Sequence, residues 1–198
     1  MTYQSDKLPA LSGVISALQK LTGDTCYAGI WRSWFLTGLL WRIQVPELDT
    51  YVFALKKAQR IGFWRAPSWS WAALEGVVLY DILRRYVDSE NLIAHLEDCN
   101  IVPKGINLLG ELESGYAKLK GPLTTLAVAP QGTMGHTSGE RGYTVRISQQ
   151  RHVYSAVHFD LESYDTCDAL MITPHTGLAI RPVDVLENTY VRVGAVVL

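Results

Sequence analysis

Cysteine is scarce in this chain, and what there is has no pattern. Cys26, Cys99 and Cys167 are odd in number, widely scattered and in no metal-binding or redox spacing, which speaks against a disulfide framework or a thiolate metal centre. Charge of either sign is equally unhelpful to a partner: 18 basic residues against 19 acidic ones leave no field for nucleic acid or an anionic membrane surface. No apolar run is long enough to span a bilayer, since the longest, Trp34 to Trp41, is short and broken by Thr37. An N-x-Ser/Thr sequon is missing, and Met1 is followed by polar residues and not by a signal peptide pattern. A cytoplasmic protein with reduced thiols is expected. The common catalytic signatures are missing too: there is no Gly-x-Gly-x-x-Gly, no phosphate loop and no His-Glu-x-x-His. Gly135-His136-Thr137-Ser138-Gly139 puts its serine in the wrong place for a nucleophile elbow. No cofactor and no metal are expected.

What is present is apolar and aromatic. Hydrophobic residues make up 48% of the 198 positions, enough for a globular chain with a sizeable core. The stretch around which the rest is organised is Arg65-Ala66-Pro67-Ser68-Trp69-Ser70-Trp71-Ala72-Ala73-Leu74-Glu75-Gly76. Pro67 pushes Ala66 towards an extended conformation. From Ser68 the alternation predicts a strand with Trp69, Trp71 and Ala73 on one face. Two indoles there make it a focus for the core, or the wall of a ligand site. Upstream, Leu11, Ile15, Leu18 and Leu21 follow the spacing of one helix face, so residues 5–22 read as a helix stopped by Gly23. Residues 27–43 read as a second helix, with Trp31, Trp34, Gly38 and Trp41 on one face. In the connection 46–63, Tyr51, Leu55 and Ala58 would be the inward side of a short amphipathic helix, a candidate lid over the Trp strand.

Beyond Val77 the pattern changes to short strands divided by turn residues. They are expected near 92–100, 116–119, 125–128, 143–148, 153–160, 169–173, 178–181 and 190–197. Residues 77–86 fit strand or helix equally, and the glycine-rich segment 130–142 reads as a loop. The fold class that follows is α+β: an antiparallel β-barrel or sandwich with two N-terminal helices packed on it. The whole chain, 1–198, reads as a single domain with a helical part at about 5–60 and a β-rich part at about 65–198. In the strand from His152 to Leu161, Val153, Val157, Phe159 and Leu161 face the core, while His152, Tyr154, His158 and Asp160 face the other way. That second face is wet in a sandwich and lines the interior in a barrel.

The central stretch resembles the R-A-P-S-W-S-W-A-S-x-D-G signature of fungal heterokaryon-incompatibility (HET domain) proteins, with Ala73 and Glu75 standing where that pattern usually has Ser and Asp. Further matches keep the family's order. Asp6 to Gly13 resembles D-K-L-P-A-L-S-G, Thr22 to Trp31 resembles T-G-D-x-Y-L-A-G-L-W, and Leu39-Leu40-Trp41-Arg42 matches L-L-W-R. Lys120 to Leu123, Gly177 to Val183 and Arg192-Val193-Gly194 also fit. In that family the HET domain precedes the first of these motifs, whereas only five residues precede Asp6 here. The resemblance is to the tail of that architecture standing alone.

Two functions follow from the resemblance. HET-like chains without the HET domain occur among fungal terpenoid-biosynthetic proteins, including norbornene-forming Diels–Alderases. This implies a cofactor-independent cyclase acting on a small, apolar, diterpene-like substrate. An intramolecular [4+2] cycloaddition needs a shaped apolar pocket and one or two hydrogen-bond donors on the dienophile carbonyl, which fits the missing acid–base motifs. Trp41, Trp69, Trp71 and Tyr51 would then bind substrate, with the three indoles around one cavity, and Arg65, Tyr154 and His158 would be the catalytic donors. The other function is a non-catalytic regulatory or recognition module acting through protein contacts. A deep apolar pocket favours the first, and a filled interior with an exposed apolar patch favours the second.

Overall fold

The computed structural model describes residues 3–43, 59–80, 91–129, 143–146 and 156–197. The chain forms two compact units whose segments alternate along it. One unit comprises Met1–Leu39, Arg60–Glu75 and His95–Lys120, and the other Leu40–Gln59, Gly76–Ala94 and Gly121–Leu198.

In the first unit, two 3₁₀ turns (Gln4–Lys7 and Pro9–Leu11) lead into helix α1 (Ser12–Thr22), where a continuous helix over 5–22 was expected. Pro9 at the start of the second turn has no N–H to donate to a helix running through it. Gly23 closes α1 as anticipated, with φ 70° and its N–H on the Gln19 carbonyl at 2.9 Å. Of α1's side chains only Ile15 is buried; Leu11, Leu18 and Leu21 are exposed, contrary to the single inward face read from their spacing.

The second expected helix is replaced by a different structure. Residues 27–43 contain a β-hairpin of β1 (Cys26–Tyr27) and β2 (Ile30–Trp31), a 3₁₀ turn at Arg32–Trp34, the four-residue α2 (Phe35–Gly38) and β3 (Arg42–Ile43). The hairpin turns at Ala28 (φ 47°) and Gly29 (φ 88°), consecutive left-handed residues that end any helix there. A side chain at Gly29 would sit 2.7 Å from the Trp71 ring, so only glycine serves. Asp24 fixes the entry, accepting from Thr25 N (2.7 Å) and Ser33 Oγ (2.5 Å). The unit is completed by β5 (Leu74–Glu75) and by a nine-residue antiparallel ribbon, β7 (His95–Pro103) with β8 (Leu112–Lys120). The connection 46–63, with Tyr51, lies for the most part outside the described residues; its end is β4 (Gln59–Arg60), where the chain passes from one unit to the other.

The second unit is a closed antiparallel barrel. Its strands are β9 (Leu123–Ala129), β10 (Tyr143–Arg146), β11 (Ala156–Phe159), β12 (Thr166–Met171), β13 (Thr176–Asp184) and β14 (Thr189–Val197). They run in the order β10-β11-β14-β13-β12-β9, and β9 pairs with β10 to complete the ring. The chain is thus α+β, with an antiparallel barrel and two short N-terminal helices, the helices belonging to the unit without the barrel. Each of the eight strands expected beyond Val77 overlaps an observed one. Period-2 alternation reports directly on a barrel wall: Cys167, Ala169 and Met171 of β12 are buried while the residues between them are not. Leu126, Val128, Val157, Ala179, Val193 and Val196 complete one hydrophobic cluster with them. A short pair, β3 with β6 (Val78–Leu79), belongs to this unit, and residues 81–86 of the ambiguous segment lie outside the described residues. No helix among the described residues is long and apolar enough to cross a membrane.

Strand pairs of the barrel approach closely at glycine, and Gly194 is the tightest case among the described residues. A Cβ at Gly194 would run into the His158 carbonyl oxygen on the paired strand β11. Backbone cannot give way as a flexible side chain does, so Gly194→Ala is expected to cost about 3 kcal/mol, the upper end for overpacking. Urea unfolding of the two proteins measures it, and a change below 0.5 kcal/mol (about the noise of a neutral surface substitution) would show that the strands can separate.

Candidate functional site

The Arg65–Glu75 stretch is not the strand that its alternation suggests. Ser68 and Trp69 lie in a turn, Trp71–Ala73 form a 3₁₀ turn, and only Leu74–Glu75 are extended as a strand. The segment is buried without a ladder to satisfy its backbone, so side chains do that work. Ser70 Oγ donates to the Ala28 carbonyl at 2.6 Å and accepts from Ala72 N at 3.0 Å. Trp71 Nε1 donates to the Gly29 carbonyl at 3.1 Å, which ties the stretch to the β1–β2 turn. Trp69 is buried against Phe35, ring centroids 5.2 Å apart, and Phe35 in turn meets Tyr27 edge-on at 6.1 Å.

Arg65 sits beneath this loop with its side chain 3% exposed. Its Nε donates to the Ala72 carbonyl (2.6 Å), Nη2 to the Leu74 carbonyl (3.0 Å), and Nη1 to both the Gln4 carbonyl (2.5 Å) and Glu75 Oε1 (2.5 Å). Lys7, also buried, donates to the same Leu74 carbonyl at 2.5 Å and lies 5.3 Å from the centre of the Trp71 ring. Burial pushes the Lys7 amine below its ordinary range, the Glu75 carboxylate opposes that, and the Arg65 guanidinium adds to it. Lys7 was not singled out from sequence; its place in a 3₁₀ turn of polar residues gives no periodic signal.

The second unit holds a comparable constellation. Arg192 lies on β14 between Val191 and Val193, both packed on the barrel cluster, so its own side chain is on the opposite face. There its Nη1 donates to Asp160 Oδ2 at 2.5 Å, with the two side chains 1% and 6% exposed. Its Nη2 donates to the Trp41 carbonyl, and its guanidinium carbon lies 3.3 Å from the centre of the Trp41 ring. Burial lowers the Arg192 pKa and the Asp160 carboxylate works against that. The Tyr80 phenol is raised by burial, with Arg192 opposing. Asp160 was placed on the second face of its strand, which was expected to be wet or inside a barrel. It is neither, being buried in an ion pair under Trp41.

The residues expected to act on substrate are thereby distributed. Trp41 and His158 belong to the barrel unit, and Arg65, Trp69 and Trp71 to the other. Tyr51 and Tyr154 lie outside the described residues. His158 is half-buried on β11. A half-open apolar recess in the first unit, lined by Leu8, Ile15, Cys26, Ile101, Leu108 and Leu109 among others, has a volume of only about 10 Å³, the space of one water. Among the described residues no three His, Cys, Asp or Glu side chains gather where a metal could bind.

Two predictions follow from these contacts. Arg65→Ala takes the described donor from the buried Ala72 carbonyl and from the part-buried Gln4 carbonyl, leaves Leu74 with Lys7 alone, and strands Glu75, at roughly 1–3 kcal/mol for each lost bond, so a loss of about 3 kcal/mol is expected in urea unfolding. A variant as stable as the parent would free Arg65 for a role towards a ligand. Burial pushes the Cys99 thiol up to about 12, the neighbouring Asp98 adding to it, and Cys167 up to about 11, with Asp168 adding and Arg181 opposing. Cys26 is raised by burial as well. Alkylation at pH 7.5 (about a unit below the free-thiol pKa) should therefore be at least tenfold slower in the folded protein than in urea, measured by mass spectrometry; one fast-reacting cysteine would mark an activated thiol.

Comparison of the chain with protein-family models, with curated proteins and with solved structures finds no match. The resemblance to HET domain proteins accordingly rests on the sequence motifs alone.

Proposed function

We propose that this chain is a non-catalytic recognition module that works through protein contacts. The observation that carries this reading is an apolar surface in the first unit. Val14, Leu18 and Leu21 of α1, with Leu11 just before its first residue, form one exposed stripe, and Ile106 and Leu108 are exposed in the β7–β8 turn. The described bonds of Arg65 and Ser70 in the Trp stretch run to the protein's own carbonyls, which suits a scaffold that presents a surface.

Two measurements test this. Purified protein is incubated with a polycyclic diterpene diene, and the rate and stereochemistry of cycloaddition are followed; no acceleration is expected, and an accelerated, stereoselective product would establish the cyclase reading instead. In parallel, Val14→Asn and Leu21→Asn are expected to change unfolding free energy by no more than about 0.5 kcal/mol, as for surface positions away from the core. Losses of 2 kcal/mol or more, the scale of buried aliphatics, would make these residues part of the fold and remove the surface from the argument.

A further inference from the structure

We propose that the N-terminal arm, Gln4–Thr22, is a charge-gated latch: Lys7 holds it on the Trp loop, and net positive charge at the seat of Lys7 lets it lift ahead of the rest of the first unit. The proposal goes beyond the recognition reading and does not depend on it.

The arm has few anchors. Its 3₁₀ turns run into α1 without a break, because Ser12 at the junction has helical dihedrals and its Oγ donates to the Pro9 carbonyl at 2.7 Å. Along Gln4–Thr22 only Lys7, Leu8 and Ile15 are buried. Leu8 and Ile15 are aliphatic contacts, indifferent to charge. Lys7 is not. Its Nζ donates to the Leu74 carbonyl at 2.5 Å, and the arm's other described hydrogen bond to residues 65–75 is the one that the Gln4 carbonyl accepts from Arg65 Nη1. Both bonds therefore end on one charged cluster. A segment fastened at so few points opens locally at lower cost than the core around it.

The cluster is unbalanced. Lys7 Nζ and Arg65 Nη2 converge on the same carbonyl, two cations at one acceptor. Glu75 supplies the carboxylate that faces them, and it is bonded to Arg65 at 2.5 Å. Trp71 offers Lys7 a ring face, and Asp6, its neighbour on the same turn, accepts from Ser5 Oγ at 3.2 Å. With Lys7 protonated, two buried cations share one carboxylate; with Lys7 neutral, Arg65 and Glu75 balance. Uncompensated charge is costly to bury. Burial pushes the Lys7 amine below its ordinary range, Glu75 opposes that, and Arg65 adds to it. The closed arm thus holds Lys7 at the lower pKa and the lifted arm at the ordinary one, about 10.4. Closure strengthens as pH rises between those two values, and below both it is constant and at its weakest. Glu75, its side chain 34% exposed, is the member of the cluster open to water, so a change of charge there reaches the arm.

Two measurements on the full chain test the latch. In wild-type protein carrying ¹³C-lysine, the ε-methylene of Lys7 is expected to titrate at lower pH than that of exposed Lys20, followed by NMR. A midpoint level with Lys20 or above it overturns the proposal. The second measurement is tryptic cleavage, since trypsin cuts after Lys7 only once that residue has left its seat and the rate follows the open population. Near pH 7.5, about three units below the ordinary lysine pKa, Glu75→Gln should speed this cut at least about tenfold, the lower end for losing a charge-assisted contact. Cutting after Lys118 of β8 should stay unchanged. An unaltered rate after Lys7 overturns the proposal, as does a parallel rise after Lys118 in the folded variant, which would mean that the unit opens as a whole. Where Glu75→Gln does not fold, the titration of Lys7 decides alone.

Discussion

A buried segment that forms neither helix nor sheet must find hydrogen-bond partners for its carbonyls, and in the first unit that requirement is met by Arg65. The loop from Pro67 to Glu75 is buried at Pro67, Trp69, Ser70, Ala72 and Leu74 and has almost no ladder of its own. An unsatisfied buried carbonyl costs on the order of 1–3 kcal/mol, so a loop of this kind is stable only with a donor of several N–H groups beneath it. Guanidinium fits because its donors diverge in one plane and stay charged at any working pH. Arg65 reaches Ala72, Leu74 and Gln4, and its charge is balanced by Glu75. Lys7, Ser70 and Trp71 then take up what is left: a second donor to Leu74, and the two turn carbonyls of Ala28 and Gly29. The β1–β2 hairpin, the N-terminal turns and the Trp loop are thus held by one connected set of side chains.

The barrel unit solves a related problem in the same way. Arg192 replaces an aliphatic residue on the outer face of β14 and links Asp160, at the end of β11, to the Trp41 carbonyl ahead of β3. Burying a charge is costly unless it is both paired and hydrogen-bonded, and Arg192 has the carboxylate, the carbonyl and the face of the indole. In the first unit the arginine is one that the sequence reading takes for a substrate donor, whereas Arg192 in the barrel unit was not singled out. A short, buried guanidinium bond to the backbone and a catalytic hydrogen bond draw on the same residue type, and only the acceptor distinguishes them.

This is why the strands of the second unit were legible in the sequence, with barrel and sandwich both left open, and the Trp stretch was not. A strand whose one side faces a closed core must alternate, so Cys167, Ala169 and Met171, or Val191 and Val193, announce both the strand and its orientation. Ser68-Trp69-Ser70-Trp71 alternates equally well, yet its period reflects individual bonds: Ser70 and Trp71 each reach a different turn carbonyl in β1–β2. Likewise Trp31, Trp34, Gly38 and Trp41 carry a helical period across a stretch that is divided between β2, a 3₁₀ turn and the short α2, after a hairpin turn at Ala28-Gly29. Alanine at φ 47° is a costly choice that no propensity anticipates; the surrounding contacts, Ser70 Oγ on the Ala28 carbonyl among them, hold it there. The bonding partners of Ser70 and Trp71 lie 42 positions away in sequence and became visible only in the fold.

The contrast between the two units bears on what the chain presents to its surroundings. Closing the barrel leaves no edge among β9–β14 to recruit another strand and buries the aliphatic side of each wall. The first unit does not close on itself in that way. Its helix α1 is 11 residues long, below the length at which an isolated helix is stable, and buries only Ile15 of its own side chains. Most of the apolar area that an amphipathic helix ordinarily uses to fix itself to a core is instead turned outward at Leu11, Val14, Leu18 and Leu21. Exposed aliphatics at helical spacing contribute nothing to the stability of the single chain and lower its solubility. On the recognition reading, a partner that covers them would return to α1 the packing that its own core does not supply, and its docking would firm the helix.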